Sequence, residues 1–195
     1  MIKVIKINRK KIGILLILCG LMIVLAVFQK TFDERIKFTA LMQNEMKDLK
    51  EYYILNNKYS YKLPSDFETI ERKFPSKEII YHNEFYSKNN SIYGFVQLWN
   101  IDGNLYDFLI KSGEISKKQN VIDNYKLEKT QIDNREVYEI TYNITDKNKN
   151  IYSCYEYFIP VDQGFVRFSF FLRKSNFKDS MPLIFKAIVK TLKTI

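Results

Sequence analysis

The chain of 195 residues contains one histidine and two cysteines. That is too few for the ordinary zinc sites, which draw four ligands from Cys, His and carboxylates, so no metal is expected. Cys19 lies inside an uncharged apolar run far from Cys154, so no internal disulfide is expected and Cys154 reads as a buried structural thiol. Glycine occurs six times and proline four. Gly94, Gly103, Gly113 and Gly164 each stand alone, which excludes a glycine-rich phosphate cradle. Scarce glycine and proline beside abundant Lys, Ile and Asn match the composition of an AT-rich bacterial genome and carry no functional information. The single histidine, His82, falls in mid-strand beside Asn83 and Glu84. Glu84 or Glu156 is its one option for an acid–base pair, but no spacing selects either, and ordinary hydrogen bonding is the expectation. Serine, threonine and lysine nucleophiles lack a visible base. The sequence therefore predicts no catalytic residue, no metal and no cofactor, and hence a protein that is not an enzyme.

What the chain does have is apolar bulk. Hydrophobic residues make up 46% and aromatics 15%, enough for one real core and against disorder. The formal charge of +9 is concentrated, since Lys3, Lys6, Arg9, Lys10 and Lys11 supply five positive charges ahead of the first apolar run. Farther on, basic residues alternate with acids, as in Glu68, Glu71, Arg72 and Lys73. The continuous basic footprint of a nucleic-acid binder is absent, so no nucleic acid is expected as a partner.

Residues 12–28 read IGILLILCGLMIVLAVF without a charge, at the short end of what spans a bilayer. Lys11 and Lys30 can snorkel to the headgroups. Five basic residues precede the run and three (Lys30, Arg35, Lys37) follow closely, which places residues 1–11 in the cytoplasm and the rest outside. A cleaved signal peptide is the main competitor, with small Val24 and Ala26 before a possible cut. The apolar run continues through Val27 and Phe28, however, and is longer than a usual signal core. A lipid-modified Cys19 is disfavoured by the bulky Leu18 before it. From about Phe32 to Tyr53 helix formers dominate, so residues 29–62 are expected as a helical stalk and linker, with the domain at 63–195.

In that domain, alternation with a period of two marks strands at Phe67 to Lys73, Ile79 to Ser87, Ile92 to Trp99, Tyr125 to Ile132, Glu136 to Thr145, Ile151 to Pro160 and Phe165 to Arg173. Turn-forming residues at 88–90, 133–134, 146–150 and 162–164 join most of them as hairpins. Asn104 caps one expected helix, with Leu105, Phe108, Leu109, Ser112 and Ile115 on a common face. Ser180 and Pro182 open another, with Ile184, Phe185, Ile188, Val189 and Leu192 as its stripe. The predicted class is α+β, a mainly antiparallel sheet flanked by helices and preceded by one transmembrane helix and a helical stalk. Trp99 and Arg167 are the candidate binding residues, being types enriched at interface hot spots; core packing for Trp99 and a salt-bridged Arg167 are the alternative roles.

This order of elements resembles the PsbP-like fold. It is carried by YHNEFYSKNNSIYGFVQLWN, then NLYDFLIKSGEISKK, then IDNREVYEITYNIT, then YEYFIPVDQGFVRFSFF before the last helix, and it covers roughly Leu63 to Ile195. The resemblance implies a small accessory or assembly protein that binds a larger partner, with no enzymatic residues to carry over. A second resemblance covers the first 70 residues, where a hydrophobic helix running into LKEYYILNNKYSYKLPSDF looks like the start of a type IV pilin or pseudopilin. That family has Phe-Thr-Leu-Ile-Glu after a processing glycine, whereas Leu18 stands at the glutamate position after Gly13. The expectation is thus a single-pass, membrane-anchored bacterial protein, N-terminus inside and domain outside, acting as a non-enzymatic binding or assembly module on a protein partner of the cell envelope. A pilin-like protein or an envelope enzyme is the alternative.

Overall fold

The computed structural model describes residues 48–87, 91–162 and 164–195, all within one compact unit, Glu45–Ile195. The expected basic terminus 1–11, the membrane span 12–28 and the stalk up to residue 47 lie outside the described residues. Among the described residues no helix is long and apolar enough to cross a membrane.

Seven strands form the main sheet: β3 (Glu68–Glu71), β4 (Ile79–Ser87), β5 (Ile92–Trp99), β6 (Val121–Ile132), β7 (Arg135–Thr145), β8 (Ile151–Val161) and β9 (Gly164–Arg173). Their spatial order is β3-β4-β5-β9-β8-β7-β6, and every pair is antiparallel. After β5 the chain crosses to the far edge through helix α1 (Leu105–Gln119) and returns hairpin by hairpin until β9 closes on β5. Asp133 and Asn134, both at positive φ, make a two-residue hairpin between β6 and β7, with Asn tolerating the left-handed region better than most residues. The expected strands and their antiparallel pairing are thus present, with β6 beginning four residues earlier than its alternation suggested.

Helix α1 starts where Asn104 Oδ1 accepts from the amides of Tyr106 and Asp107, at 2.8 and 3.3 Å. Asp107 in the first turn and Lys117 and Lys118 in the last complement the helix dipole. Helix α2 (Met181–Lys190) has proline in its first turn and buries Met181, Ile184, Phe185, Ile188 and Val189. Its Ser180 makes no side-chain cap bond.

The stalk-and-linker assignment for 29–62 is corrected over its described part. Leu49–Ile54 is strand β1 and Tyr59–Pro64 is strand β2, joined by a turn with Leu55, Asn56 and Asn57 at positive φ. β2 also pairs with β10 (Lys193–Thr194), placing Ser60 opposite Lys193. Helix formers dominate the sequence before Leu49, but strand preference depends on what a segment packs against. Here Tyr59, Tyr61 and Leu63 are buried against a surface supplied by residues over a hundred positions away. The folded domain therefore begins before Leu63.

The two faces of the main sheet are closed differently. On one, Phe185 of α2 stacks on Phe170 at 4.3 Å between centroids, and Tyr61 of the small sheet meets Phe168 edge-on at 5.7 Å. α2 and the three-stranded sheet cover that face around Phe168 and Phe170, while Lys126 and Glu128 of β6 on the same face are exposed. The other face is covered only over its β6–β9 half, by α1, whose Leu109 joins Ile140, Phe158 and Phe165 in a buried cluster.

Candidate functional site

Between α1 and the half-sheet beneath it lies a cavity of about 280 Å³. Six aromatic residues line it, Trp99, Phe108, Tyr125, Tyr142, Phe158 and Phe165. Trp99 stacks on Phe165 at 5.7 Å with planes 13° apart, and Phe108 from α1 leans on both at 5.8 and 5.5 Å. Among the lining residues of α1, Ser112, Gly113 and Ser116 are small and keep the helix from filling the space. A Cβ on Gly113 would stand 2.5 Å from the Tyr125 hydroxyl and 2.9 Å from its ring carbon, so glycine is what admits Tyr125 under the helix. Gly164, at φ +118°, has a comparable role at the other end: a side chain there would run into the Trp99 carbonyl, and glycine alone takes that backbone angle without strain.

The floor carries a buried ion pair. An Arg167 Nη donates to Glu156 Oε1 at 2.6 Å, with side-chain exposures of 23% and 5%. The same oxygen accepts from Ser169 at 3.3 Å and, at 3.4 Å, from the Tyr142 hydroxyl. The guanidinium lies over Phe95 and Phe158, 5.0 and 5.4 Å from their centroids, a favourable cation–π arrangement. Two buried side-chain atoms lack any hydrogen-bond partner among the described residues, Arg167 Nε and the Tyr125 hydroxyl. Both belong to residues lining this cavity, and such atoms are uncommon in a finished fold. Burial, then the Glu156 charge, pushes the Tyr125 and Tyr142 phenols above their ordinary range, which keeps both hydroxyls protonated.

The expected binding residues Trp99 and Arg167 are brought together on this one cavity. His82 is placed elsewhere. It is 4% exposed, its ring in contact with Phe74 and Phe95 at 4.8 and 5.4 Å. Its Nδ1 lies 2.9 Å from Gln97 Nε2 and its Nε2 lies 3.2 Å from Glu84 Oε1. Trp99 Nε1 can only donate, and it donates to Gln97 Oε1 at 2.8 Å. The Gln97 amide must then present its NH₂ to Nδ1, so Nε2 carries the ring proton and donates to Glu84. Arg72 Nε completes the chain by donating to Glu84 at 2.9 Å. With both ring nitrogens engaged, His82 orients the indole of Trp99 through Gln97 and is not free to take a substrate's proton. Glu156, the other carboxylate considered for His82, pairs with Arg167.

Sequence reasoning did not single out Tyr125, Tyr142 or Gly113. A lone glycine inside a helical pattern was the available signal, since such a residue usually has a packing reason. The Arg167–Glu156 pair is a diagonal one: Glu156 stands opposite Ser169, two residues from Arg167, so the alternation put both on one face but only the register made them neighbours. Cys154 is buried as expected. Among the described residues no group of three or more His, Cys, Asp or Glu is placed to hold a metal.

Past Arg167 the same face runs out from under α1 and stays open. Ile70, Tyr86 and Tyr93 are 55%, 42% and 51% exposed, and Tyr93 and Phe95 lie against Phe171 at 5.4 and 5.8 Å.

No family model matches the chain, and no curated protein sequence matches it. Solved structures do. The solution structure of cyanobacterial PsbP (CyanoP) from Synechocystis sp. PCC 6803 superposes with a TM-score of 0.56 at 13% identity, over 75% of this chain and 92% of that one. LpqN, involved in cell envelope biogenesis of Mycobacterium tuberculosis, gives a TM-score of 0.46 at 9% identity, over 79% of this chain and 97% of that one. At such identities the likeness is one of fold, and it rests on the first of the two. The described domain has a PsbP-like fold, as the order of its elements led us to expect.

Proposed function

We propose that this chain is a non-enzymatic binding module held at the outer face of a bacterial membrane, and that the cavity beneath α1 is its receiving site. The observation that carries this reading is the cavity itself: about 280 Å³, walled by aromatic rings, with two donors on its floor that the fold leaves unpartnered. A concave apolar site with a few convergent polar groups is the default form of a small-molecule site. The chemistry of the domain favours holding over transforming. Burial pushes the Cys154 thiol up to about 12, the phenols stay protonated, and His82 has both nitrogens occupied. The membrane attachment is read from uncharged residues 12–28 and the basic residues ahead of them.

The test uses the full chain in mild detergent, incubated with a small-molecule extract and weighed by native mass spectrometry beside a Ser112→Phe variant whose new ring fills the cavity. Extra mass retained by the unaltered chain and lost in the variant is the expected result. Equal retention, or none, removes the cavity as a receptor.

The open strip of Ile70, Tyr86 and Tyr93 favours a second reading, a protein partner of the envelope docked on the uncovered half of the sheet. Exposed aromatic patches of this kind are typical of interaction surfaces. Crosslinking in intact cells with a membrane-impermeant reagent tests this reading together with the outward topology. A Tyr93→Glu, Ile70→Glu variant is expected to lose the crosslinked species while keeping lysine modification. If the unaltered chain takes up no reagent at all, the domain does not face outward.

A further inference from the structure

We propose that the cavity takes a planar, uncharged aromatic ligand of one or two rings bearing a carbonyl-type acceptor, its ring lodged against Trp99, Phe108 and Phe165 and its acceptor meeting the donors of Arg167 and Tyr125. This rests on the reading of the cavity as a receiving site and adds the chemical class of what is received.

Size comes first. A cavity of about 150 Å³ holds one benzene ring, so about 280 Å³ accommodates two fused rings with a short substituent and excludes a drug-sized molecule. Shape follows from the walls. Trp99 and Phe165 are nearly parallel, and Phe108 is tilted by 58° and 46° to them, which offers a new ring both stacked and edge-on contacts.

Charge and polarity are set by the floor. Arg167 is already neutralised by Glu156. A ligand carboxylate would sit close to the Glu156 charge in a site poor in water, where like charges repel strongly. A ligand cation would look for Glu156 Oε1, which already has Arg167, Tyr142 and Ser169 around it. What the floor lacks is an acceptor, because Arg167 Nε can only donate and the Tyr125 hydroxyl stays protonated. A carbonyl acceptor offers these donors a partner without bringing a charge. Lys117 Nζ, 4.2 Å from the centroid of the Tyr125 ring, strengthens that hydroxyl as a donor.

The experiment is isothermal titration of the full chain in detergent with four probes: 2-acetylnaphthalene, naphthalene, 2-naphthoate and dodecanol. The heat of the Ser112→Phe variant is subtracted to remove partition into micelles. Expected is saturable binding of 2-acetylnaphthalene, with naphthalene weaker by about 25- to 100-fold, the worth of two net hydrogen bonds, and 2-naphthoate and dodecanol weaker still. Tyr125→Phe is the decisive variant, because its hydroxyl has no partner to lose in the fold. It should leave the thermal midpoint unchanged or higher while weakening 2-acetylnaphthalene by about 5- to 10-fold and leaving naphthalene unaffected. Naphthoate or dodecanol binding as tightly as 2-acetylnaphthalene, or a Tyr125→Phe variant that does not discriminate, overturns the ligand class while the receiving site stands. If no probe distinguishes the unaltered chain from Ser112→Phe, the receiving site falls with it.

Discussion

Arg167 and Glu156 form an ion pair in a place where either charge alone would be costly. Breaking such a pair by deleting one partner leaves the other buried and uncompensated, at about 3–5 kcal/mol, whereas replacing both with apolar groups of similar volume is often neutral or better. Urea unfolding should therefore show Arg167→Ala losing stability on that scale. The double change Arg167→Met, Glu156→Leu should recover most of it while abolishing ligand binding. If the single and double variants are equally unstable, the pair is a packing element and its charge is incidental. The sequence flagged Arg167 as a residue type enriched at interface hot spots, but did not place it beside Glu156. A carboxylate eleven positions earlier, in another strand, becomes its neighbour only through the β8–β9 register, and register is a property of two segments together.

At the scale of elements, α1 is where local preference and tertiary fit disagree. Glycine at position 113 costs the helix about 1 kcal/mol relative to alanine, yet an alanine Cβ there would press on Tyr125. Forcing extra atoms into a filled space typically costs about 1–3 kcal/mol, so Gly113→Ala should lower stability despite the better helix former. In a Tyr125→Leu background the obstruction is gone, and the same substitution should raise stability by about 1 kcal/mol. That reversal of sign, read from thermal or urea midpoints of the four chains, isolates the contact; additive effects would mean that Gly113 has no packing role. Helices and hairpins were legible because their signals are short-range: Asn104 before an apolar stripe, Asp133 and Asn134 between alternating runs. β1, β2 and β10 were not, because a strand of two residues, Lys193–Thr194, has too little pattern to read. Its partner β2, YSYKLP, is buried at five of six positions, which hides its alternation. The small sheet exists because β10 pairs with β2, whose Tyr61 lies on Phe168, a fact of topology that no window of sequence contains.

Across the whole molecule, the aromatic core gives stability a particular pH dependence. Burial first of all raises the Tyr61, Tyr157 and Tyr142 phenols well above their ordinary value, and pushes both the Tyr81 phenol and the Cys154 thiol up to about 12. All five stay protonated in the fold, while in the unfolded chain the thiol ionises near pH 9 and the phenols near 10. Since the folded values are the raised ones, their contribution is complete below pH 9. Above it the unfolded state binds fewer protons than the native state, so stability falls as pH rises. Each group adds up to about 1.4 kcal/mol per pH unit to that slope. Urea midpoints should accordingly fall steadily from pH 9 toward 12. Absorbance of tyrosinate near 295 nm should show the buried phenols titrating only as the chain unfolds. Alkylation of Cys154 should keep the same timing, slow while the fold persists and fast once it opens. Tyr61, Tyr81 and Tyr157 titrating smoothly in the folded state, with midpoints unchanged to pH 12, would mean that water reaches the layer between the main sheet and its cover of α2 and β2. The close stacking of Phe170 on Phe185 and the edge contact of Tyr61 on Phe168 argue against such access, because both leave the layer without room for the hydration that a phenolate requires.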